Sequence, residues 1–257
     1  MNKKNIILQT KELALGYFHK NKPVSLLTTP INLSLQRGVF TCLLGPNGSG
    51  KSTLIRTLAG LQKSITGKVI LENKEIQHIN LKEKSFLLSM VLTEQPVTTN
   101  MSVKELVSMG RYPYTSWMGK FSEEDTKKTT EAIQLTQLDY LHERKIWQLS
   151  DGERQKAMIA RALAQDTPLI MLDEPTAHLD LNNRIELLYL LRGLSRELNK
   201  AILLSTHDLD IALQCADQLW LMQPCEKVIT GTPEDLVLQG EFEKVFHGEK
   251  FQFEAES

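Results

Sequence analysis

The sequence predicts an α/β domain: a parallel sheet with crossover helices, preceded by a mostly β portion and interrupted by a helical insertion. Three observations carry this. Apolar stretches at residues 169–172, 201–205 and 219–222 alternate with helical stretches at about 182–198 and 210–216, the pattern of strands joined by crossovers. Residues 39–44 form an apolar run that ends at Gly45 and suits a central strand buried on both faces. From Met101 to about Gln165 the texture is helical instead.

Taken in order, Leu13 and Leu15, then Ile31, Leu33 and Leu35, alternate as in a half-buried sheet. A helix is predicted from Lys51 to about Ala59, with Gly60 placed to end it. Thr66-Gly67 reads as a turn before a strand over 68–72, and 86–92 reads as another strand. In the helical stretch, Ser122-Glu123-Glu124-Asp125 is a capping-box start for a long polar helix running to Leu141. Thr232-Pro233-Glu234-Asp235 starts a last helix, with an N-cap, proline in the first turn and acids after it.

Size and composition bound the function. A chain of 257 residues with 41% apolar and 24% charged residues has ample core for a globular protein, so disordered and fibrous classes are excluded. Thirty basic against 31 acidic residues leave a formal charge of -1, so no global field attracts nucleic acid or anionic lipid, and no nucleic-acid partner is expected. Any polyanion must be held by a local site. Cys42, Cys215 and Cys225 are odd in number and lack metal-ligand spacing, which argues against a disulfide framework. The apolar stretch after Lys3 and Lys4 is too short for a signal peptide, and no window approaches a membrane span, so the chain is expected to be soluble and cytoplasmic.

The chemistry begins at Gly45-Pro46-Asn47-Gly48-Ser49-Gly50-Lys51-Ser52-Thr53, which fits G-x-x-x-x-G-K-[ST] and lies between a buried strand and a helix. Its glycines let successive backbone N–H groups and the positive helix end point at phosphate oxygens. Lys51 is placed to reach the β and γ phosphates of ATP, and Ser52 to ligate Mg²⁺. A second element, Leu169-Ile170-Met171-Leu172-Asp173-Glu174-Pro175, delivers two acids at the carboxyl end of a strand, where ligands collect in open α/β sheets. Asp173 suits the Mg²⁺ side, and Glu174 suits polarising a water for attack on the γ phosphate.

Leu149-Ser150-Asp151-Gly152-Glu153-Arg154-Gln155 is, by itself, a plain S-x-x-E capping box. The string also closely resembles the signature sequence of ABC-type ATPases, and residues 156–163 resemble the helix that follows it in that family. Nearly the whole chain shares the resemblance, in the family's order: the phosphate loop, Gln95, the signature, Asp173-Glu174, Ala177-His178-Leu179-Asp180 and Ser205-Thr206-His207-Asp208. Two departures stand out. Asp151 occupies a position where the family most often has glycine, and Ala177-His178 replace a commoner Ser-Ala pair.

The resemblance implies a RecA-like P-loop ATPase core with an N-terminal antiparallel β portion and an inserted helical subdomain. The expected bounds are residues 1–95 and 166–257 for the core and 96–165 for the insertion. It implies that His207 is the switch histidine at the γ phosphate, and that Gln95 touches Mg²⁺ and water while linking core to insertion. Tyr17 falls at the adenine-stacking position, though Phe18 could take that role. In the family two units pack head to tail, so Ser150 and Gly152 of one copy, with Asp180, would serve the nucleotide on the other copy's phosphate loop. Permease subunits in the inner membrane and, indirectly, a substrate-binding protein complete such a system, which places the chain on the cytoplasmic membrane face.

For the load, residues 102–114, with Gly110-Arg111-Tyr112-Pro113, resemble the matching stretch in ATPases of iron-siderophore, haem and cobalamin importers. On this reading the aromatic and basic cluster at 111–117, including Tyr112, Tyr114 and Trp117, docks a membrane subunit. Another ABC transporter, or a soluble non-transport ABC ATPase such as the iron-sulfur cluster assembly type, remains the alternative.

Overall fold

A computed structural model describes residues 5–19, 22–92, 100–115, 119–224 and 226–245; the side chains of 17–19 and 22–26 are outside the description. Two sheets organise it. The first is antiparallel, order β4-β1-β6-β7, from β1 (Ile6–Ala14), β4 (Ser34–Gln36), β6 (Thr66–Leu71) and β7 (Lys74–Glu75). A hairpin of β2 (Gly16–His19) and β3 (Lys22–Leu26) extends from it. The second has six strands among the described residues: β5 (Phe40–Leu44), β8 (Leu88–Val91), β9 (Leu169–Asp173), β10 (Ala201–Thr206), β11 (Gln218–Leu221) and β12 (Ile229–Gly231). Their order is β12-β11-β5-β10-β9-β8, parallel except for β12.

The apolar runs are explained by burial on both faces of this sheet. Cys42, Leu44, Ile170, Leu172, Ile202, Leu204, Leu219 and Leu221 enter one core, while Leu43, Leu169, Met171, Leu203, Trp220 and Met222 enter the other. Alternate residues of a strand point to opposite faces, so a doubly covered strand must be apolar throughout. Helices α5 (Asp151–Ala164) and α6 (Leu181–Glu197) pack in the first core, with α3 (Val103–Ser108), α4 (Glu123–Leu135) and α7 (Leu209–Cys215). The second core lies between the two sheets and takes Leu54, Ile55 and Leu58 of α1 (Lys51–Leu58). Short helices α2 (Leu81–Ser85), α8 (Pro233–Leu238) and α9 (Glu241–Val245) complete the set.

Several boundaries differ from the sequence reading, each for a local reason. The polar helix from the Ser122 capping box ends at Leu135, not Leu141. Gln137 adopts a left-handed backbone (φ 60), Leu138 N–H bonds Ile133 O and Gln137 N–H bonds Gln134 O. That is a Schellman stop built without glycine, and Leu138 plugs the core behind it. Thr66 and Gly67 lie inside β6 and are not a turn: the register shifts against Glu12, and a Cβ on Gly67 (φ 77) would overlap the Glu12 carbonyl. The strand expected over 86–92 covers only Leu88–Val91, because Phe86 closes α2, whose N-cap Asn80 accepts from Glu83 N–H at 2.8 Å.

Candidate active site

The register brings three chain segments to one edge of the six-stranded sheet. Leu44 pairs with Thr206 and with Leu221, and Asp173 pairs with Ser205, so Asp173 ends its strand beside the strand ends that Gly45 and His207 follow. This is the carboxyl edge, where open parallel sheets bind their ligands.

At that edge the phosphate loop leaves β5. Gly45 is obligatory because a Cβ there would overlap Met222 O and crowd Ser49 Oγ. Pro46, Asn47 and Gly48 are exposed, and Gly48 (φ 81) and Gly50 (φ 102) take conformations that favour glycine. Gly50 is the N-cap of α1, with no side-chain capping bond and no acid in the first turn. The helix therefore presents its positive end without a counter-charge of its own. Ser49 Oγ is buried and finds no hydrogen-bond partner among the described residues, a donor suited to a phosphate oxygen.

Lys51 is only 4% exposed; its Nζ donates to Gly45 O at 2.9 Å and lies 3.4 Å from Glu174 Oε1. Ser52 Oγ donates to Asp173 Oδ1 at 3.0 Å. Ser205 Oγ donates to the same Asp173 oxygen at 2.8 Å and accepts from Glu174 N–H at 2.9 Å. Glu174 has a left-handed backbone (φ 46), a conformation that costs energy in a non-glycine residue and is held here by its neighbours. Ser52 and Asp173 offer one neutral and one anionic oxygen, a donor pair that fits a hard cation completed by phosphate oxygens and water, as Mg²⁺ prefers.

His207 sits past the end of β10 with a half-exposed side chain. Its neighbour Asp208 is anchored by Arg184 NH1 at 2.7 Å and by Thr176 Oγ1 at 3.1 Å, while Arg184 Nε holds Leu179 O at 2.7 Å. This clamp ties the turn after Glu174 to the strand that carries His207. Sequence reasoning missed Ser205, Thr176, Arg184 and Asp208; Ser205 and Asp208 lay in a recognised string in which only the histidine was singled out.

The signature forms the start of α5. Ser150 caps the helix: its Oγ accepts from Glu153 N–H at 3.3 Å, and its N–H donates to Glu153 Oε2 at 2.8 Å. That N–H holds the Glu153 carboxyl below the usual range. Gly152 is buried against the start of α6, where a Cβ would come within 3.0 Å of Asn183 Oδ1. Asp180 caps α6, accepting from Asn183 N–H at 2.9 Å. A cavity of about 310 Å³ between α5 and the turn after β9 is lined by Asp151, Arg154, Glu174 and His178 among others. Gln95 and Trp117 lie outside the described residues, as does the Tyr17 side chain.

The expectation that Arg111 faces a partner is corrected. Arg111 is 3% exposed; its Nε donates to Asp125 Oδ1 at 2.9 Å, its NH1 to Ala164 O at 2.8 Å, and its guanidinium lies 3.7 Å from the Tyr114 ring centroid. Tyr114 OH donates to Gln165 O, and a Cβ on Gly110 would overlap Arg161 O. Gly110 and Arg111 thus brace the carboxyl end of α5 from inside, and Tyr114 does so from the surface. Tyr112 remains exposed and stacks on Phe121 at 5.8 Å.

Sequence comparison matches residues 28–177 to the family described as ABC transporter. The petrobactin import ATP-binding protein FpuD of Bacillus anthracis is 37% identical over 90% of this chain and 82% of its own length. The ferric enterobactin transport ATP-binding protein FepC of Escherichia coli K12 is 35% identical over 93% of this chain and 86% of its own length. Among solved structures, a dimeric ATP-binding cassette in a post-hydrolysis state, bound to ADP and Pi, aligns with a TM-score of 0.74 and 25% identity, over 88% of this chain and 98% of that one. The chain belongs to the ABC transporter ATP-binding family. Like other ABC ATP-binding proteins it is an ATPase, and its α/β architecture is that of the ABC cassettes. No helix among the described residues is long and apolar enough to cross a membrane.

Proposed function

We propose that this ABC ATPase hydrolyses Mg-ATP at a site shared by two copies of the chain and powers import of an iron chelate, haem or cobalamin-type substrate. The observation that carries the chemistry is the convergence of Lys51, Ser52, Asp173 and Glu174 at one strand edge, with Ser52 Oγ 3.0 Å from Asp173 and Lys51 Nζ 3.4 Å from Glu174. Backbone N–H groups of residues 45–53 and the α1 terminus cradle the phosphates, and Lys51 exchanges its Gly45 and Glu174 contacts for the β and γ oxygens. Glu174 accepts a proton from the water whose oxygen bonds to the γ phosphorus, as the bond from that phosphorus to the bridging oxygen breaks and ADP leaves. His207, past the end of β10 and beside the anchored Asp208, steadies the γ phosphate and that water. Ser52 and Asp173, with Gln95, would hold Mg²⁺, which would supply charge neutralisation at the β and γ phosphates. Tyr17 stacks the adenine.

The second copy supplies Ser150, Gly152 and Asp180. A second helix terminus then faces the γ phosphate, doing in trans the work of an arginine finger. The dimeric cassette relative supports this arrangement. The petrobactin and ferric enterobactin relatives support the substrate class and, with it, a membrane permease and a substrate-binding protein as partners at the cytoplasmic membrane face. The exposed Tyr112 and Phe121 pair offers the permease a rigid aromatic contact.

Glu174→Gln tests the chemistry. Losing a general base lowers turnover by at least about 10²-fold while nucleotide binding persists. Steady-state ATPase assays beside equilibrium binding separate the two, and normal turnover by the variant removes Glu174 from this role. Uptake of a ferric chelate by a reconstituted transporter tests the substrate class.

A further inference from the structure

Asp151 presents an electrostatic problem. It is the first residue of α5, directly between Ser150 and Gly152, and its side chain is exposed. An acid there satisfies the positive end of its own helix, which stabilises α5 and at the same time spends the field that would attract a phosphate. A carboxylate at this point also repels a triphosphate held by another copy. The start of α1 has no acid in its first turn.

The structure also holds the remedy. Arg154, one turn along the same face, places NH1 3.0 Å from Asp151 Oδ1 and donates from NH2 to Leu149 O at 3.2 Å. Both side chains line the 310 Å³ cavity that also holds Glu174 and His178. The second contact fixes the guanidinium against the helix start, so the positive charge stays beside the acid rather than swinging into solvent.

We infer that Arg154 is a positioning residue for ATP turnover, neutralising Asp151 so that the α5 terminus can accept the γ phosphate of the nucleotide on a second copy. The inference rests on the shared-site reading above. Arg154 acts through Asp151 and does not contact the nucleotide. Its loss therefore matters only while residue 151 carries a negative charge.

A charge cycle on the full-length chain, read as ATPase rate against Mg-ATP concentration at low and high KCl, decides this. Arg154→Gln raises KM for ATP by about tenfold at low salt, the scale of one charge-assisted contact. The rise shrinks at high salt, as a charge effect between partly exposed groups must. Arg154→Lys keeps KM within about twofold of the parent, because the charge remains. Adding Asp151→Gly to Arg154→Gln brings KM back, which loss of the Leu149 contact alone would not allow. An unchanged KM in Arg154→Gln, or a double variant as impaired as the single one, overturns the inference. Ser150→Arg, assayed alongside, keeps the two readings apart. Its loss of turnover with a flat charge cycle overturns this inference alone, whereas full turnover in Ser150→Arg overturns the shared site and the inference together.

Discussion

The starts of α1 and α5 are opposite solutions to the same task. α1 begins on a left-handed glycine with no capping side chain and no acid in its first turn. α5 begins on a complete capping box, with Asp151 and Glu153 in its first turn. The first end is left open for a ligand, at some cost to the helix. The second satisfies its donors internally, through Ser150 and Glu153, and is stable without any ligand. A capping box is worth roughly 1 kcal/mol, so α5 stands ready-made in the isolated chain, while α1 depends on packing of Leu54, Ile55 and Leu58 to hold its uncapped start. The difference suits a division of labour in which α1 binds nucleotide in each copy and α5 completes the site only when copies meet.

The largest effect expected is all or none. Pure Ser150→Arg and pure Lys51→Ala proteins are both expected to lack turnover, since on the shared-site proposal each lacks one half of every site. Mixing them creates dimers with one intact pairing and regains ATPase activity. If mixed dimers verified by mass stay as inactive as the parents, independent shared sites are excluded.

Next in size, Lys51→Ala weakens nucleotide binding by roughly 10- to 100-fold, the range for losing a charge-assisted hydrogen bond. Ser150→Arg leaves affinity of the isolated chain near its starting value. Equal losses in equilibrium binding for both variants would erase the contrast between the two helix starts.

Gly45→Ala costs about 1–3 kcal/mol in chemical denaturation, because the new methyl group must displace the Met222 carbonyl or the loop. A stability equal to the parent's would mean that the close approach at Met222 is not tight.

Smallest is the α5 cap. Glu153→Gln lowers stability by less than about 1 kcal/mol and makes it less sensitive to acid. The Ser150 N–H depresses the Glu153 pKa in the folded chain. Its stabilisation is therefore present above the carboxyl's ordinary pKa and is lost as pH falls through the lowered folded value. Thermal melts between pH 6 and pH 3 on parent and variant read this directly (the curves converge at the acid end), and parallel curves would show that the cap is not closed in solution.

How far the sequence could be read follows from where each interaction sits along it. The loop between β5 and α1 was legible because its pattern occupies nine consecutive residues, and the place of the acids at 173–174 because they come at a strand end. Arg111 was misjudged because its partners, Asp125 and Ala164, are 14 and 53 positions away. Nothing local separates an arginine that faces a partner from one that braces a helix. The early stop of α4 was hidden for a different reason: glycine usually marks a Schellman turn, and here Gln137 makes it. Ser205 gave no signal because its role, linking Asp173 to the Glu174 amide, exists only once β9 and β10 are paired in register. The expected bounds of the insertion, 96–165, remain a reading from resemblance.

The place of β5 in its sheet has one more consequence. Its residues 41–44 are paired on both sides, to β10 and to β11, and the whole strand is buried. Amide protons there exchange with solvent only when the sheet itself opens. Two peptides further on, Asn47 and Gly48 are exposed. A boundary between slowly and rapidly exchanging backbone thus falls at Gly45, so bound nucleotide should leave a deuterium footprint a few residues wide, sharply cut off on its strand side and grading gently into α1 on the other.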